Sequence, residues 1–170
     1  GHGRSYGMEL LLRHRPNGPF FGWIAYTLSR SERRQPGQDW ELFPLDQTHI
    51  FSAVGSVALG SRWTLGLRFQ LVTGNPRTPV IGGVYQADIN RYEPVLGAPQ
   101  SERNATFHQL DLRVDKLWLF DSWKLTTYLD LLNVYNQKNT EFIRYNYNYS
   151  KSTVLQGIPF FPSLGVKGEF

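Results

Sequence analysis

The stretch FHQLDLRVDKLWLFDSWKLTTYLDLLNV, Phe107 to Val134, reads as two strands folded on a tight turn. Gln109, Asp111, Arg113 and Asp115 alternate with Leu110, Leu112 and Val114, and Lys124, Thr126, Tyr128 and Asp130 alternate with Leu125, Thr127, Leu129 and Leu131. A period of two gives each strand one apolar and one polar face. With Asp121 and Ser122 as the turn, Phe120 lies opposite Trp123. The same register sets Arg113 against Asp130, Leu112 against Leu131 and Val114 against Leu129. Apolar meets apolar, and cation meets carboxylate. The charged face needs water or its own partners. The apolar face, ending in Trp118, Phe120 and Trp123, needs a dry surround. A soluble sandwich would make that face its core. A transmembrane barrel would turn it to lipid and line its lumen with the charges.

The flanking sequence repeats the pattern. Arg4 to Arg15 reads as a strand with Tyr6, Met8, Leu10 and Leu12 on one face and Gly7, Glu9, Leu11 and Arg13 on the other. Pro16-Asn17-Gly18-Pro19 is a turn, because Pro fixes φ and Asn-Gly tolerates positive φ. Phe20 to Ser31 is the return strand, and polar Glu32 to Asp46 is a long loop. Thr48 to Leu59 and Trp63 to Leu71 form the next pair, and a Gly60-Ser61-Arg62 turn sets Leu59 against Trp63 and Val57 against Leu65. Thr73 to Thr106 reads as a 34-residue loop. A structureless loop of that length counts against a compact soluble domain and is ordinary for the outer side of a membrane barrel. Beyond Asn133 to Asn139, Ile143, Tyr145, Tyr147 and Tyr149 read as an aromatic continuation of the Lys124 strand. Ser150 to Phe161 is a further loop, and Pro162 to Phe170 is the last strand, with Leu164, Val166 and Phe170 on its apolar face. Connections thus alternate short and long, as in transmembrane barrels; a sandwich gives no reason for this.

Composition agrees. The 170 residues include no Cys, 19% charged and 41% hydrophobic residues, which suits neither disorder nor a helical membrane protein. No apolar run approaches the roughly 18 residues of a membrane helix. Aromatics reach 15%, a level membrane barrels use for interfacial girdles. The net charge of +4 is modest and, apart from Arg30 to Arg34, the basic residues are scattered, so no nucleic-acid partner is expected. No signal peptide opens the chain, which suggests either its removal or an internal fragment.

Several short segments, in order, then resemble the TonB-dependent outer-membrane receptors. Gly3-Arg4-Ser5-Tyr6-Gly7-Met8-Glu9-Leu10 is similar to a strand opening of that family. Tyr26-Thr27-Leu28-Ser29-Arg30-Ser31 with Asp46-Gln47-Thr48-His49 is similar to another of its pairs. Thr73-Gly74-Asn75-Pro76, His108-Gln109-Leu110-Asp111-Leu112-Arg113 and Asn133-Val134-Tyr135-Asn136 match in the same order. Pro162-Ser163-Leu164-Gly165-Val166-Lys167-Gly168-Glu169-Phe170 looks like the terminal strand with its closing aromatic. No single segment is diagnostic; the ordered set is. The resemblance implies an all-β fold: about 7–8 antiparallel strands from the C-terminal part of a 22-stranded transmembrane β-barrel. It implies a plug domain and a TonB-contacting segment outside this sequence, and import of a scarce ligand of the siderophore, cobalamin, saccharide or peptide class. Outer-membrane lipid, the plug, TonB and the barrel-assembly machinery are the implied partners. A small self-contained membrane barrel, structural or lipid-modifying, remains open; it must pair its first and last strands. So does a soluble barrel or sandwich that binds apolar ligands.

The chemistry expected is that of a wall. His2, His14, His49 and His108 have no metal-ligand spacing. Ser52 and Ser56 with His49 and Asp46 suggest a nucleophile set, but no Gly-x-Ser-x-Gly elbow accompanies them, so neither an enzyme nor a cofactor is expected. Glu9, Arg13, Arg68, Asp111, Arg113, Asp115, Lys124 and Asp130 read as a hydrated lumen lining, paired across strands, that can touch a plug or a solute. Tyr145, Tyr147 and Tyr149 can stack on a ligand such as a sugar or pack on neighbouring strands. Leu164, Val166 and Phe170 read as an assembly signal.

Overall fold

Alternation along the long strands produces one open antiparallel sheet. The computed structural model describes residues 1–14 and 18–170. Arg15, the end of the first expected strand, and Pro16 and Asn17 of the first expected turn lie outside the described residues. The strands are β1 (His2–His14), β2 (Phe20–Arg34), β3 (Glu41–Leu42), β4 (His49–Gly60), β5 (Trp63–Val72), β6 (Pro76–Arg77), β7 (Val80–Gln86), β8 (Arg91–Leu96), β9 (Glu102–Arg103), β10 (Phe107–Leu119), β11 (Lys124–Leu132), β12 (Thr140–Tyr145), β13 (Ser152–Gln156) and β14 (Phe161–Glu169). Seven long strands follow the order β1-β2-β4-β5-β10-β11-β14, with β3 added beside β2. Both outer strands have one unpaired edge, so the sheet is not closed on itself.

The central hairpin has the expected register. Arg113 pairs with Asp130, Leu112 with Leu131 and Val114 with Leu129. The Phe120 N–H donates to the Trp123 carbonyl at 3.0 Å, closing the turn over Asp121 and Ser122. Facing residues share a side of the sheet, so the ladders extend the two faces from strand to strand. One row of the apolar face runs Leu12, Ile24, Ala53, Phe69, Leu110. One row of the polar face runs Phe21, Ser56, Gly66, Arg113, Asp130, Ser163.

Four sequence expectations need correction. β2 runs on to Arg34, and β3 pairs with Glu32 and Arg33, so the start of the supposed Glu32–Asp46 loop is sheet. Trp63 faces Gly60, not Leu59; a bulge displaces Leu59, and Gly60, Ser61 and Arg62 turn with φ of 80°, 46° and 64°. Val57 does face Leu65. The segment from Thr73 to Thr106 is not structureless: β7 pairs with β8, and β6 with β9. Its length therefore gives no weight against a soluble fold. Tyr145 to Tyr149 do not continue β11. β11 stops at Leu132, and β12 pairs with β13 in a hairpin of its own, leaving Tyr147 and Tyr149 in its turn.

Among the described residues no hydrophobic side chain is buried, while Glu32, Asp46, Asp111, Asn133 and Asn139 are. The apolar face is open: Met8, Leu10, Ile24 and Leu67 are exposed, and Leu164 is 83% exposed. The polar face packs where glycine permits it. A Cβ on Gly165 would lie 2.2 Å from Cζ of Tyr128, whose ring covers that glycine. A Cβ on Gly66 would meet nothing closer than 3.8 Å. Gly165→Val should therefore expel the Tyr128 ring and cost about 1–3 kcal/mol, whereas Gly66→Ala should be neutral or slightly stabilising. Urea unfolding of both variants measures the difference, and equal losses would contradict the packing described.

Candidate functional site

The polar face carries an ionic chain across β5, β10 and β11. Asp111 faces Arg68 and accepts from its Nη2 at 2.6 Å and its Nε at 3.0 Å. Asp111 also accepts from Gln109 Nε2 at 2.7 Å and from the Asn133 N–H at 3.0 Å. One row further, the Arg113 guanidinium donates to Asp115 at 3.0 Å and to Asp130 at 3.0 Å, and lies 4.0 Å from the centre of the Tyr128 ring. Gly66 and Ser56, having little side chain, leave a cavity of about 450 Å³ beside Arg68, Asp111, Arg113 and Asp130.

Of the eight expected lining residues, these contacts join Arg68, Asp111, Arg113, Asp115 and Asp130. Arg13 shares a row with Arg68, but Trp23 and Val54 stand between them. Three strand spacings, about 14 Å, separate the two. Arg13 instead lies over Phe21, 5.8 Å from the ring centre. Glu9 faces Thr27, and Lys124 faces Glu169 at the far end of β11. With Arg68 and Arg113 held by carboxylates, this part of the face is an internally matched polar surface.

The suggested nucleophile set does not assemble. His49 is on the apolar face, sharing a 2.8 Å hydrogen bond with Tyr26, whereas Ser52 and Ser56 are on the polar face. Among the described residues no three His, Asp or Glu side chains converge as metal ligands. Tyr85 and Tyr92 of the β7–β8 hairpin lie 5.3 Å apart, and Tyr92 meets Tyr147 edge-on at 5.3 Å. The tyrosines thus dock the two hairpins on each other. Leu164 and Val166 lie on the apolar face beside Leu129 and Thr127, and the Phe170 ring stacks on Trp123 at 5.8 Å.

Two polar junctions below the long connections were not foreseen. Asn133, fully buried with φ of 52°, donates from Nδ2 to the Gln137 and Ile158 carbonyls at 2.9 Å each. It ties the connection after β11 to the segment before β14. Arg103 clasps the other two long connections. Its Nη2 donates to Asp46 Oδ2 at 2.5 Å and to Thr48 Oγ1 at 2.9 Å, and its Nη1 donates to the Asp46 and Gly74 carbonyls at 3.1 and 3.0 Å. Gly74 must be glycine, since a Cβ there would lie 2.0 Å from the Asn104 carbonyl oxygen. Asp46 is 1% exposed and also accepts from the Ser31 N–H at 2.6 Å. Burial pushes its carboxyl up, but Arg103, the Ser31 N–H and Thr48 outweigh burial and hold it below the ordinary carboxylate value.

Comparison with family models, with characterised proteins and with solved structures gives no match to this chain.

The clasp makes a two-part prediction. Arg103→Gln strands a buried carboxylate and should cost about 3 kcal/mol, the lower end for breaking a buried pair because Arg103 is partly exposed. A carboxyl with a depressed folded pKa stabilises above its unfolded pKa, about 3.9, and loses this as pH falls through the folded value. Hydrogen exchange at Phe43–Thr48 and Thr73–Pro76 should therefore accelerate in the variant at pH 7 and in the wild type only below about pH 4. Unchanged protection in the variant would contradict the clasp.

Proposed function

We propose that this chain is part of the wall of an outer-membrane β-barrel of the TonB-dependent receptor type, which imports a scarce ligand such as a siderophore, cobalamin, saccharide or peptide. The observation that carries the membrane reading is the exposed apolar face of a sheet in which no described hydrophobic residue is buried. A soluble chain would hide such a surface, since contiguous apolar patches beyond a few hundred Å² are rare on monomers. In a bilayer the same face lies against lipid and the ionic face lines a wet lumen.

Both ends of the apolar face support this. At the long-connection end Tyr26 stacks on His49, and His108 on Tyr135. At the short-connection end Phe120 stacks on Trp123, and Trp123 on Phe170. Polar-tipped aromatics suit a membrane interface. His108 and Trp118 are ten residues apart on β10. That is about 34 Å along a strand and about 26 Å across a bilayer at a tilt of roughly 40°, close to the usual apolar band of about 25 Å. The receptor type rests on the ordered short segments, several of which sit at structural junctions. Asp46, Thr48 and Gly74 hold Arg103, and Asn133 anchors the connection after β11. The small closed barrel gains no support, because β1 and β14 do not pair. In the receptor reading those edges meet further strands of the barrel.

Import is tested by deleting the full-length gene in its host. Growth on limiting iron chelates, cobalamin, saccharides or peptides should fail for one class, and removing TonB should reproduce that failure. Growth unaffected in all four classes would defeat the transport reading.

The lipid orientation is tested by substitution. Leu67→Arg should cost about 2–4 kcal/mol in a lipid refolding titration, and Gln70→Arg far less. Equal costs would invert or abolish the assignment.

Strand β14 supplies a third outcome. An unpaired edge entering hydrocarbon must find a partner. Leu164, Val166 and Phe170 offer the insertion machinery an amphipathic strand whose Phe170 ring fixes register. Phe170→Ala in the full-length receptor should block insertion and leave unfolded chain in the periplasm. Near-normal surface levels would make Phe170 an interfacial aromatic only.

A further inference from the structure

The apolar face does not stop at its apolar rows. Beyond Met8 and Leu28, β1 and β2 carry it through three more rows: Tyr6 beside Arg30, Arg4 beside Glu32, and His2 beside Arg34. This extension lies at the long-connection end. Glu32 is 4% exposed and accepts from Arg4 Nε at 2.6 Å and Arg30 Nε at 2.8 Å. One carboxylate thus orients two guanidinium planes. Among the described residues, neither Nη1 has a protein acceptor, and Arg34 has none at any nitrogen. Trp40 braces the group, with Arg4 and Arg34 lying 4.2 and 4.8 Å from its ring centre. Two further carboxylates are near. Asp39 and Glu41 line an adjoining cavity with Arg33 and Arg34, but Glu41 faces Arg33 on the opposite side of the sheet. Three arginines and His2 therefore face outward around a single buried carboxylate.

Planar guanidinium groups with a free donor edge match phosphate oxygens, two N–H groups to two oxygens. The position decides which phosphate. The cluster continues the apolar surface of Tyr6, Met8 and Leu10, so an acyl chain lying on those residues brings its headgroup to the arginines. We propose that Arg4, Arg30 and Arg34 form an outer-rim site for the phosphate-bearing headgroup of a membrane lipid in the leaflet on the long-connection side. The proposal rests on the membrane reading above. Glu32 is the positioning residue for Arg4 and Arg30, and Trp40 braces Arg4 and Arg34.

The test uses the full-length protein in zwitterionic lipid nanodiscs, titrated with a phosphorylated glycolipid and with its dephosphorylated form, retention being read by native mass spectrometry. The wild type should retain the phosphorylated lipid preferentially. At an anionic lipid surface each cation is worth about a factor of five. Arg34→Gln, which leaves both Glu32 pairs intact, should lose about fivefold, and Arg30→Gln/Arg34→Gln about thirtyfold. Equal retention by variants and wild type, or no preference for phosphate, overturns the site. Inorganic phosphate should not displace the lipid; if it competes at equal concentration, the cluster is a solution anion site and the lipid assignment falls. Quenching of tryptophan fluorescence by brominated acyl chains separates the two levels. Normal quenching with equal retention rejects the lipid site alone, and absent quenching rejects the membrane reading and the site together.

Discussion

Cohesion of this chain rests on the backbone ladder between long neighbouring strands. No described hydrophobic side chain is buried, so no apolar core holds the sheet from one side. What remains is the continuous pairing from β1 to β14, with ionic and aromatic contacts laid along each face. A ladder of this kind is strong where backbone groups cannot turn to water instead, which is the condition inside hydrocarbon. It is also vulnerable at its ends, because β1 and β14 each present a row of unpaired N–H and carbonyl groups. The proposed closed wall surrounded by lipid would resolve both the exposed apolar face and the open edges.

The two faces then divide the work. On the polar side, Arg68 pairs with Asp111 and Arg113 with Asp130 across strands, and Arg113 also pairs with Asp115 along β10. The Arg113 pairs, partly open to water, contribute little to stability, whereas Asp111 is buried. Their value lies in the potential and hydrogen-bonding pattern they present on that face. Other buried polar residues sit at the feet of the long connections. Asp46 with Arg103, and Asn133 with Gln137 and Ile158, fix where those connections leave the sheet. A receptor of the proposed kind needs this combination, a rigid wall below and positioned loops above.

The sheet was legible in the sequence because a period of two has few alternatives. Once Leu110, Leu112 and Val114 define a face, a two-residue turn at Asp121-Ser122 leaves a single register, and Arg113 meets Asp130 as expected. The bulge at Leu59 was not legible, because it depends on the backbone of Gly60, Ser61 and Arg62 rather than on side-chain pattern. The hairpins β7–β8 and β12–β13 were missed for a different reason. They pack on each other through tyrosines instead of on the main sheet, so no single apolar face marks them. Reading Ile143 to Tyr149 as a continuation of β11 carried the alternation across the break from Asn133 to Asn139, but the positive φ of Asn133 ends the strand there. Arg103 gave no signal of its own; only the polar run around Asp46 and the glycine at position 74 hinted that something had to be held there.

The central claim is that one face of the sheet meets lipid and the other meets water. It is tested most directly by spin labels placed singly from Trp63 to Leu71 in the bilayer-reconstituted full-length protein, with collision rates measured against oxygen and a water-soluble nickel chelate. Oxygen access should peak at Trp63, Leu65, Leu67, Phe69 and Leu71, and nickel access at Thr64, Gly66, Arg68 and Gln70. Uniform nickel access along β5, or the opposite alternation, would contradict the account.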